Sequence, residues 1–330
     1  MNAAAHVDIS VVVPLYNEKD NLPDLHRQLT QALEPLGRPF ELVLVDDGSR
    51  DGTGAALLEL AARDPRVQAV VLRRNFGQTA AFSAGFDRSR GELVVTSDGD
   101  LQNDPADIPG LVAKLEAEDL DMVCGWRRTR KDPLSKRVPS FFANRLISWA
   151  TGVKLHDYGC SLKVMRGEVA RGIRLYGEMH RFIPAVASWD GVSLAEVPVN
   201  HRPRTRGSSK YGIGRTLRVL LDLFTVKFLL SYGTRPAHLF GLVGLACGAL
   251  GFGILAYLTV LKLAFDEALS GRPLLLLGAL LFLTGVVLVS FGLIGELLVR
   301  VWHESQDKPI YAVLERRPRR GDPAGATRAR

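Results

Sequence analysis

The chain has few cysteines and lacks the short motifs of several common protein classes. Among its 330 residues the three cysteines are Cys124, Cys160 and Cys247, with no CxxC or CxxH spacing. This spacing argues against a zinc site and predicts reduced, structural cysteines. The sequence has no GxxxxGKS/T, and the turn after its first apolar segment, PLYNEKDN, is not GxGxxG. We therefore expect neither a P-loop enzyme nor a dinucleotide-binding Rossmann domain.

Acidic charge is in the minority, and the N-terminal segment carries no targeting pattern. The 42 lysines and arginines outnumber the 35 aspartates and glutamates, which gives a formal net charge of +7. This surplus suits a membrane surface, a nucleic acid or an anionic substrate, without choosing among them.

The first ten residues, MNAAAHVDIS, contain no apolar h-region. We therefore expect no signal peptide and an N-terminal part that stays in the cytoplasm.

Charge is also missing from two long apolar segments near the C-terminus. No Asp, Glu, Lys or Arg occurs between Ala237 and Leu261 or between Pro273 and Gly295. Each segment is longer than the ~20 residues that cross a hydrocarbon core. We therefore predict two transmembrane helices within residues 236–302, joined by a short external loop. The alternative is a pair of buried helices in a soluble protein, which rarely extend this far without a charge.

The segments around the two spans predict further contact with a membrane. Residues 213–235 are too charged to span a bilayer and too apolar for open water, so they predict an amphipathic juxtamembrane helix. Residues 303–330 predict a basic cytoplasmic tail that contacts anionic lipid. Because basic residues flank the outer ends of the two spans, the positive-inside rule places both termini in the cytoplasm. We expect a multi-pass protein of the inner, cytoplasmic membrane.

Residues 1–212 are predicted to form one cytoplasmic domain of the α/β class. Apolar segments such as DISVVVP and FELVLV alternate with amphipathic segments such as NLPDLHRQLTQAL. The apolar segments are near-continuous Val, Leu and Ile, the pattern of strands that are covered on both faces. This succession predicts a mainly parallel sheet with helices between its strands. Ligands of such sheets bind beyond the carboxyl ends of the strands.

Polar residues follow each of five predicted strands, as YNE, DDGS, RRN, DGDLQ and GWRR. A single polar loop needs no explanation, but five at one sheet edge predict one site.

After the fourth strand, SDGDLQND brings together Asp98, Asp100 and Asp104. Carboxylates so placed repel one another unless a cation lies among them. A divalent metal is the predicted cation, and a solvated turn is the alternative.

Taken in order, these motifs resemble those of a known enzyme family. PLYNE, VDDGSRDGT and SDGDLQNDP on successive strand ends resemble the inverting GT-A glycosyltransferases of family 2. DYGCSLKVMRGEV, GEMHRFIP, NHRPRTRGSSKYG and the two spans are similar to the subgroup that transfers sugars to polyprenyl phosphate. Its close types are the dolichol-phosphate mannose synthases, the undecaprenyl-phosphate glucosyltransferases and the aminoarabinose transferases. The resemblance covers about residues 8 to 305 and departs at Gly99, which is often alanine in relatives.

This resemblance implies a GT-A fold, Rossmann-like and mainly parallel, that binds a nucleotide sugar with Mg²⁺ or Mn²⁺. It implies that Asp100 and Gln102 are metal ligands and that Asp98 binds the metal or the ribose. Asp104 is expected to cap the helix that begins near Pro105. The residues expected to bind the donor are Pro14, Tyr16, Asn17, Glu18, Asp46, Asp47, Gln78 and Asp98. For Asp47 an Asx turn before Gly48 is the alternative, and for Tyr16 ordinary packing is.

Basic residues are crowded after the fifth predicted strand, where a lipid phosphate would have to meet the diphosphate. Arginine forks suit phosphate oxygens, although a solvated basic face is the usual role of such a run. The resemblance implies an acceptor-phosphate site formed by Arg127, Arg130 and Arg137, with Arg206, Ser208 and Lys210 from a second basic loop. A phosphomonoester is largely ionised at neutral pH, so no catalytic base is required. Asp157 is nevertheless a candidate base, together with Asp98 and Asp100 as catalytic residues.

The predicted function is transfer of a sugar, with inversion, from a nucleotide sugar to undecaprenyl phosphate on the cytoplasmic leaflet. UDP-glucose is the favoured donor, and a GDP-mannose-dependent polyprenyl-phosphate mannose synthase is the alternative. The expected partners are the donor, the lipid and the membrane, without nucleic acid, and we expect a homo-oligomer. A processive polysaccharide synthase is disfavoured because the chain has two spans and no QxxRW motif. A non-enzymatic membrane scaffold is the most distant alternative.

Overall fold

A computed structural model describes residues 6–128, 144–145, 147–148, 151–175, 177, 179–189, 191–203, 236–269 and 272–306. The chain forms two compact units, Met1–Leu230 and Ser231–Arg330. The predicted juxtamembrane helix at 213–235 lies outside the described residues, and so does residue 307 onward of the predicted tail.

The first unit contains a seven-stranded sheet. Its strands are β1 (Ile9–Leu15), β2 (Phe40–Asp46), β3 (Val67–Val71), β4 (Leu93–Thr96), β5 (Met122–Trp126), β6 (Lys163–Arg166) and β7 (Leu194–Pro198). They lie in the order β3-β2-β1-β4-β6-β5-β7. All neighbours are parallel except β6, which is antiparallel to both β4 and β5. The prediction of a mainly parallel sheet is therefore confirmed, while the reversed strand β6 was not predicted.

Helices cover both faces of this sheet. The helices with defined bounds in the described part of this unit are α1 (Leu22–Leu33), α2 (Thr53–Arg63), α3 (Gln78–Arg88), α4 (Ile108–Ala117), α5 (Gly167–Gly172) and α6 (Ile183–Trp189). Val11 of β1 belongs to the apolar cluster that includes Leu25 and Leu29 of α1, whereas the adjacent Val12 belongs to the cluster that includes Phe82. Successive strand residues point to opposite faces, so both faces of β1 are buried. Each buried side chain of this size contributes about 2 kcal/mol to stability.

The reversed strand brings a distant part of the chain to the carboxyl edge of the sheet. Leu15 at the end of β1 pairs with Asp46 at the end of β2. Thr96, the last residue of β4, pairs with Lys163, the first residue of β6. The segment just before Lys163 therefore lies at the same edge as the loops that follow β1, β2 and β4. This edge is where the sequence predicts the site.

Where the structure describes the second unit, it shows two long apolar helices, α7 (Pro236–Phe265) and α8 (Pro273–Gln306). Spans long and apolar enough to cross a membrane are Ala237–Phe265 and Pro273–Leu298, with mean hydropathies of 2.2 and 2.7. Only 11% of each apolar window is buried, which is unlike a core helix of a soluble protein. These helices agree with the two predicted spans in position, length and composition.

Glycines let α7 and α8 pack closely against each other. A Cβ placed on Gly285 would lie 2.5 Å from the Gly248 nitrogen and 2.6 Å from the Gly244 oxygen. A Cβ on Gly251 would lie 2.4 Å from the Phe282 nitrogen. Glycines of α7 therefore contact α8 of the same chain, in the manner of small residues between membrane helices.

We expect Gly285→Leu to separate α7 from α8 and to lower the thermal unfolding midpoint in detergent, because the new side chain has no space. Overpacking of this kind typically costs about 1–3 kcal/mol. Gly253→Leu is the matched control, since nothing lies within 4 Å of a Cβ at Gly253. Equal midpoints for the two variants in a thermal scan would contradict the close packing at Gly285.

Candidate active site

The loops after β1 and β2 are held together by hydrogen bonds. The backbone nitrogen of Asn17 donates to Ser49 Oγ at 2.8 Å, and Asn17 Oδ1 accepts from the backbone nitrogen of Arg50 at 2.9 Å. Asn17 has a positive φ of 56°, a conformation that asparagine tolerates better than most residues. The Glu18 nitrogen donates to Thr53 Oγ1 at 3.0 Å. These contacts fix the turn that carries the half-buried Pro14, Tyr16 and Glu18.

The two aspartates at the end of β2 are buried and have different partners. Asp46 Oδ1 accepts from the nitrogen of Ser49 at 3.3 Å and from its hydroxyl. Asp47 accepts from the Phe76 nitrogen at 2.7 Å and from the Gly77 nitrogen at 2.9 Å. The turn within the DDGS segment therefore involves Asp46, while Asp47 holds the loop after β3. Burial raises the pKa of Asp47, against the effect of its two backbone hydrogen bonds.

The DGD turn after β4 packs against the end of β1. A Cβ on Gly99 would lie 2.5 Å from Leu15 Cδ2 and 3.2 Å from the Pro14 oxygen. Position 99, where the sequence departs from its relatives by having glycine, is thus where the turn approaches β1. Asp100 Oδ1 accepts from the Gln102 nitrogen at 3.1 Å, which closes the turn.

Asp98 is hydrogen-bonded to α3 and to the segment that precedes β6. Its Oδ1 accepts from Gln78 Nε2 at 2.7 Å, at the start of α3. Burial and the charge of Asp100 raise the pKa of Asp98, although a hydrogen bond from Ser161 and the charge of Arg127 act in the opposite direction. The two carboxylates of the turn therefore repel each other, as the sequence predicts.

The donor set of this turn fits a hard divalent cation. Asp98 and Asp100 supply carboxylates and Gln102 supplies an amide, and oxygen ligands of this kind suit Mg²⁺ or Mn²⁺ with phosphate oxygens completing the coordination. Within the described residues, no group of three or more His, Cys, Asp or Glu side chains could hold a metal. A cation here would depend on the nucleotide for part of its coordination.

The segment after β7 is attached next to the DGD turn. Asp104 caps the short helical turn Pro105–Asp107 by accepting from the Ala106 nitrogen at 3.1 Å, as predicted. Arg202 pairs with Asp104 at 2.6 Å and donates to Gln28 Oε1 at 2.6 Å. Arg202 thus anchors the start of the second basic loop to the turn. Five of the predicted acceptor-phosphate residues lie outside the described part of the chain. They are Arg130, Arg137, Arg206, Ser208 and Lys210.

Arg127 and Asp157 form a buried ion pair with two hydrogen bonds. Arg127 Nε donates to Asp157 Oδ2 at 2.7 Å and Nη2 donates to Oδ1 at 3.0 Å. Burial lowers the pKa of Arg127, but the Asp157 carboxylate outweighs that effect, so the pKa is raised. Asp157 is 2% exposed, and its own nitrogen donates to Glu196 Oε1 at 2.9 Å. Both oxygens of the candidate base are therefore bound to a predicted acceptor-phosphate residue.

The contacts of several side chains that support this site could not be predicted from the sequence. Glu196 of β7 also contacts His156 Nδ1 at 2.8 Å, and the His156 ring stacks on Trp126 with centroids 4.4 Å apart. On the other side, His180 Nδ1 lies 2.8 Å from Thr79 Oγ1. These partners are far apart in sequence, so only the fold brings them together.

A pocket opens beside Asp98 and encloses about 400 Å³, part of it open solvent. Its lining comes from α3, from the end of β4, from the segment that leads into β6, and from residues 180–183. Besides Asp98, the residues are Gln78, Phe82, Thr96, Tyr158, Gly159, Cys160, Ser161, Lys163, His180, Arg181 and Ile183.

Comparison with known proteins identifies the family of the chain. Residues 10–173 match the family described as Glycosyl transferase family 2. The chain is 44% identical over 313 residues to the dodecaprenyl-phosphate galacturonate synthase of Rhizobium johnstonii, an alignment that covers 94% of this chain and 93% of that protein. The chain belongs to glycosyl transferase family 2. It is also 42% identical over 307 residues to the undecaprenyl-phosphate 4-deoxy-4-formamido-L-arabinose transferase of Pseudomonas paraeruginosa, covering 92% and 89% of the two chains.

Solved structures agree with this family 2 glycosyltransferase in fold. Glucosyl-3-phosphoglycerate synthase from Mycobacterium tuberculosis, in complex with Mn²⁺, uridine diphosphate and phosphoglyceric acid, superposes with a TM-score of 0.53 at 18% identity. That superposition covers 68% of this chain and 79% of the other. Mannosyl-3-phosphoglycerate synthase from Rubrobacter xylanophilus gives a TM-score of 0.52 at 17% identity, covering 67% and 74%. The GT-A fold and the family resemblance inferred from the sequence are confirmed.

Most predicted site residues of this glycosyltransferase lie at the carboxyl edge of one sheet. They are Pro14, Tyr16, Asn17 and Glu18 after or at the end of β1, Asp46 and Asp47 of β2, Gln78 at the start of α3, and Asp98, Asp100 and Gln102 after β4. Arg127 and Asp157 meet next to them, after β5 and before β6. Their roles in binding and catalysis remain predictions.

Proposed function

We propose that this chain transfers a sugar, with inversion, from a nucleotide sugar to polyprenyl phosphate at the cytoplasmic leaflet of the inner membrane. The observation that carries the proposal is similarity over 94% of the chain, including both apolar helices, to a protein named for transfer to dodecaprenyl phosphate. A second relative, covering 92% of the chain, is named for transfer to undecaprenyl phosphate. A soluble acceptor would not require two lipid-exposed spans, whereas a polyprenyl acceptor lies in the membrane.

On the donor side, the residues of the DGD turn would hold a divalent cation, Mg²⁺ or Mn²⁺. Such a cation supplies charge neutralisation for the diphosphate leaving group. Gln78 orients Asp98, and the backbone of Gln102 orients Asp100, so both carboxylates are fixed before the donor binds. Pro14, Tyr16 and Asp47 would contact the base and ribose from the ends of β1 and β2. Fixed ligands of this kind lower the cost of reorganisation when charge develops on the leaving group.

On the acceptor side, Arg127 would bind the lipid phosphate. Asp157 occupies the Nε–H and one N–H of Nη2, and a guanidinium has five N–H groups in all. The remaining N–H groups are available to orient a phosphate without a base, because that nucleophile arrives ionised. We therefore assign Asp157 the role of positioning Arg127 rather than that of removing a proton. Direct displacement at the anomeric carbon then inverts its configuration.

The identity of the sugar is a separate question. From the sequence we favour UDP-glucose, with GDP-mannose as the alternative, but the two relatives are named for galacturonate and for 4-deoxy-4-formamido-L-arabinose. The polyprenyl acceptor is common to both names, while the sugar is not. We therefore treat the donor as a nucleotide sugar, with UDP-glucose as one candidate, and homo-oligomer formation stays a prediction.

The test is transfer of radiolabel from a panel of nucleotide sugars to undecaprenyl phosphate by the purified full-length protein in detergent. We expect label to enter the lipid phase from at least one donor, and none to do so when the phosphate is replaced by undecaprenol. Protein that binds a nucleotide but transfers from no donor would contradict the proposal and favour the scaffold alternative.

A further inference from the structure

We propose that Ser161 is a positioning residue for the cation, because its single hydroxyl joins the two ends of the segment that contains the DGD turn. This segment, residues 98–103, begins at Asp98, ends at Asn103 and carries Asp100 and Gln102 between them. Ser161 lies just before β6 and is not among the predicted site residues. The inference rests on the proposed function and adds to its donor side a residue that would act through Asp98.

The hydroxyl of Ser161 uses both of its hydrogen-bonding capacities within this segment. A hydroxyl has one hydrogen to donate and two lone pairs to accept with. The hydroxyl of Ser161 donates to the carboxylate of Asp98. It accepts from Nδ2 of Asn103 at 2.7 Å. One oxygen atom therefore bridges the first and the last residue of the segment.

The backbone between these two ends is strained. Leu101 has a positive φ of 60°, which is uncommon for a residue other than glycine, asparagine or aspartate. Such a conformation persists only where the surrounding structure fixes it. Leu101 lies between Asp100 and Gln102, so the strain falls between two expected ligands of the cation. The bridge through Ser161 is a contact from outside the segment that can maintain this conformation.

Ser161 is itself fixed to the strand from which the turn departs. Thr96, the last residue of β4, donates through Oγ1 to the carbonyl oxygen of Ser161 at 2.6 Å. Thr96 also pairs with Lys163 in the register of β4 and β6. Because Thr96 is 1% exposed, this attachment is shielded from water. The position of the hydroxyl is thus set by the sheet, so Ser161 can hold the turn rather than follow it.

The other end of the bridge is fixed by the chain that follows β7. Asn103 forms an antiparallel bridge with His201, and the backbone nitrogen of Arg202 donates to the oxygen of Gln102 at 2.9 Å. These contacts hold the backbone of Asn103, whose side chain then gives Ser161 a fixed partner. Hydrogen-bonded neighbours that orient metal ligands typically change metal affinity by about 10–100-fold.

Ser161 also lines the pocket beside Asp98, so direct contact with the sugar is the alternative role. The two roles differ in what they require of the ligand. A contact with the sugar affects only nucleotide sugars. Orientation of the cation ligands affects any nucleoside diphosphate that binds with the metal, including UDP and GDP, which carry no sugar.

The experiment measures the Kd of UDP and of GDP for the full-length protein in detergent by calorimetry, with Mn²⁺ and with EDTA. For Ser161→Ala we expect the Kd with Mn²⁺ to rise about 10–100-fold, while the Kd with EDTA keeps its wild-type value. Asn103→Ala should act in the same direction. The double variant should lose little more than Ser161→Ala alone, because both substitutions break one bridge. Ser188→Ala removes a half-buried hydroxyl of α6 that donates to the Ala185 oxygen, and as the matched control it should change neither Kd.

Hydrogen exchange of the metal-free protein is a second measurement, which needs no nucleotide. In Ser161→Ala the amides of residues 98–103 should exchange faster than in the wild type, because the ends of the segment are no longer joined. Ser188→Ala should keep the wild-type exchange in this segment.

A wild-type Kd with Mn²⁺ for Ser161→Ala would overturn the inference. An equal rise with Mn²⁺ and with EDTA would also overturn it, since that result indicates general damage to the nucleotide site. A loss confined to nucleotide sugars would assign Ser161 to the sugar instead. If the wild type binds no nucleotide, the proposed function fails, and the exchange rates of residues 98–103 still decide whether Ser161 holds the turn.

Discussion

Asp100→Asn should lower sugar transfer by about a thousandfold, the size of effect seen when one fixed electrostatic group is removed from a transition state. The substitution removes one negative charge and keeps the shape of the side chain. Asn Oδ1 can still accept from the Gln102 nitrogen, which is the contact that closes the turn. Folding should therefore survive, and the loss should appear in the rate and in metal-dependent binding of the nucleotide.

The measurement is the transfer rate with Mn²⁺, with Mg²⁺ and with EDTA, together with calorimetric binding of UDP with and without Mn²⁺. EDTA should reduce the wild-type rate to that of the variant. Asp87→Asn, which removes an exposed carboxylate of α3, is the matched control and should retain both rate and binding. A variant at position 100 with the wild-type rate and the wild-type response to Mn²⁺ would show that the DGD turn is only a solvated turn.

The arrangement of the sheet edge could be predicted because each sequence pattern that indicates it lies within one short segment. The near-continuous apolar segments indicate buried parallel strands, and the carboxyl ends of parallel neighbours lie at one edge. This rule predicts that Asp46, Asp98 and Asp100 lie at that edge, whichever residues they contact. The two spans could be predicted for the same reason, since the absence of charge is visible within each segment.

The contacts of individual side chains could not be predicted because their partners are distant in sequence. Asp47 receives hydrogen bonds from a loop 29 residues away rather than from its own turn. Lys163 lies in a short strand that runs against its neighbours, and a single lysine between apolar residues does not reveal which face or partner it has. A carboxylate near the site suggests a base at Asp157, but the pairing of Asp157 with Arg127 depends on how β5 and β6 lie next to each other in the sheet.

Asp157→Asn should lower the free energy of unfolding by about 3 kcal/mol, because it leaves the buried Arg127 without its carboxylate. It should also raise the KM for undecaprenyl phosphate about tenfold or more, since Arg127 loses the fixed orientation that positions the acceptor. A matched control is Asp119→Asn, which removes the exposed partner of Arg166. An exposed pair of this kind contributes about 0–1 kcal/mol, so the control should unfold almost like the wild type.

The shape of the pH–rate profile separates positioning from proton abstraction. If Asp157 positions Arg127, the variant should have a higher KM for the lipid with the same dependence of kcat on pH, and Arg127→Gln should reproduce the KM effect. The double variant should then lose little more than either single variant, because both substitutions remove one interaction. If Asp157 were the base, kcat would fall while the KM for the lipid stayed near its wild-type value, and the acidic limb of the profile would disappear. That second outcome would reassign the pair, with Asp157 as the base and Arg127 as the residue that holds it.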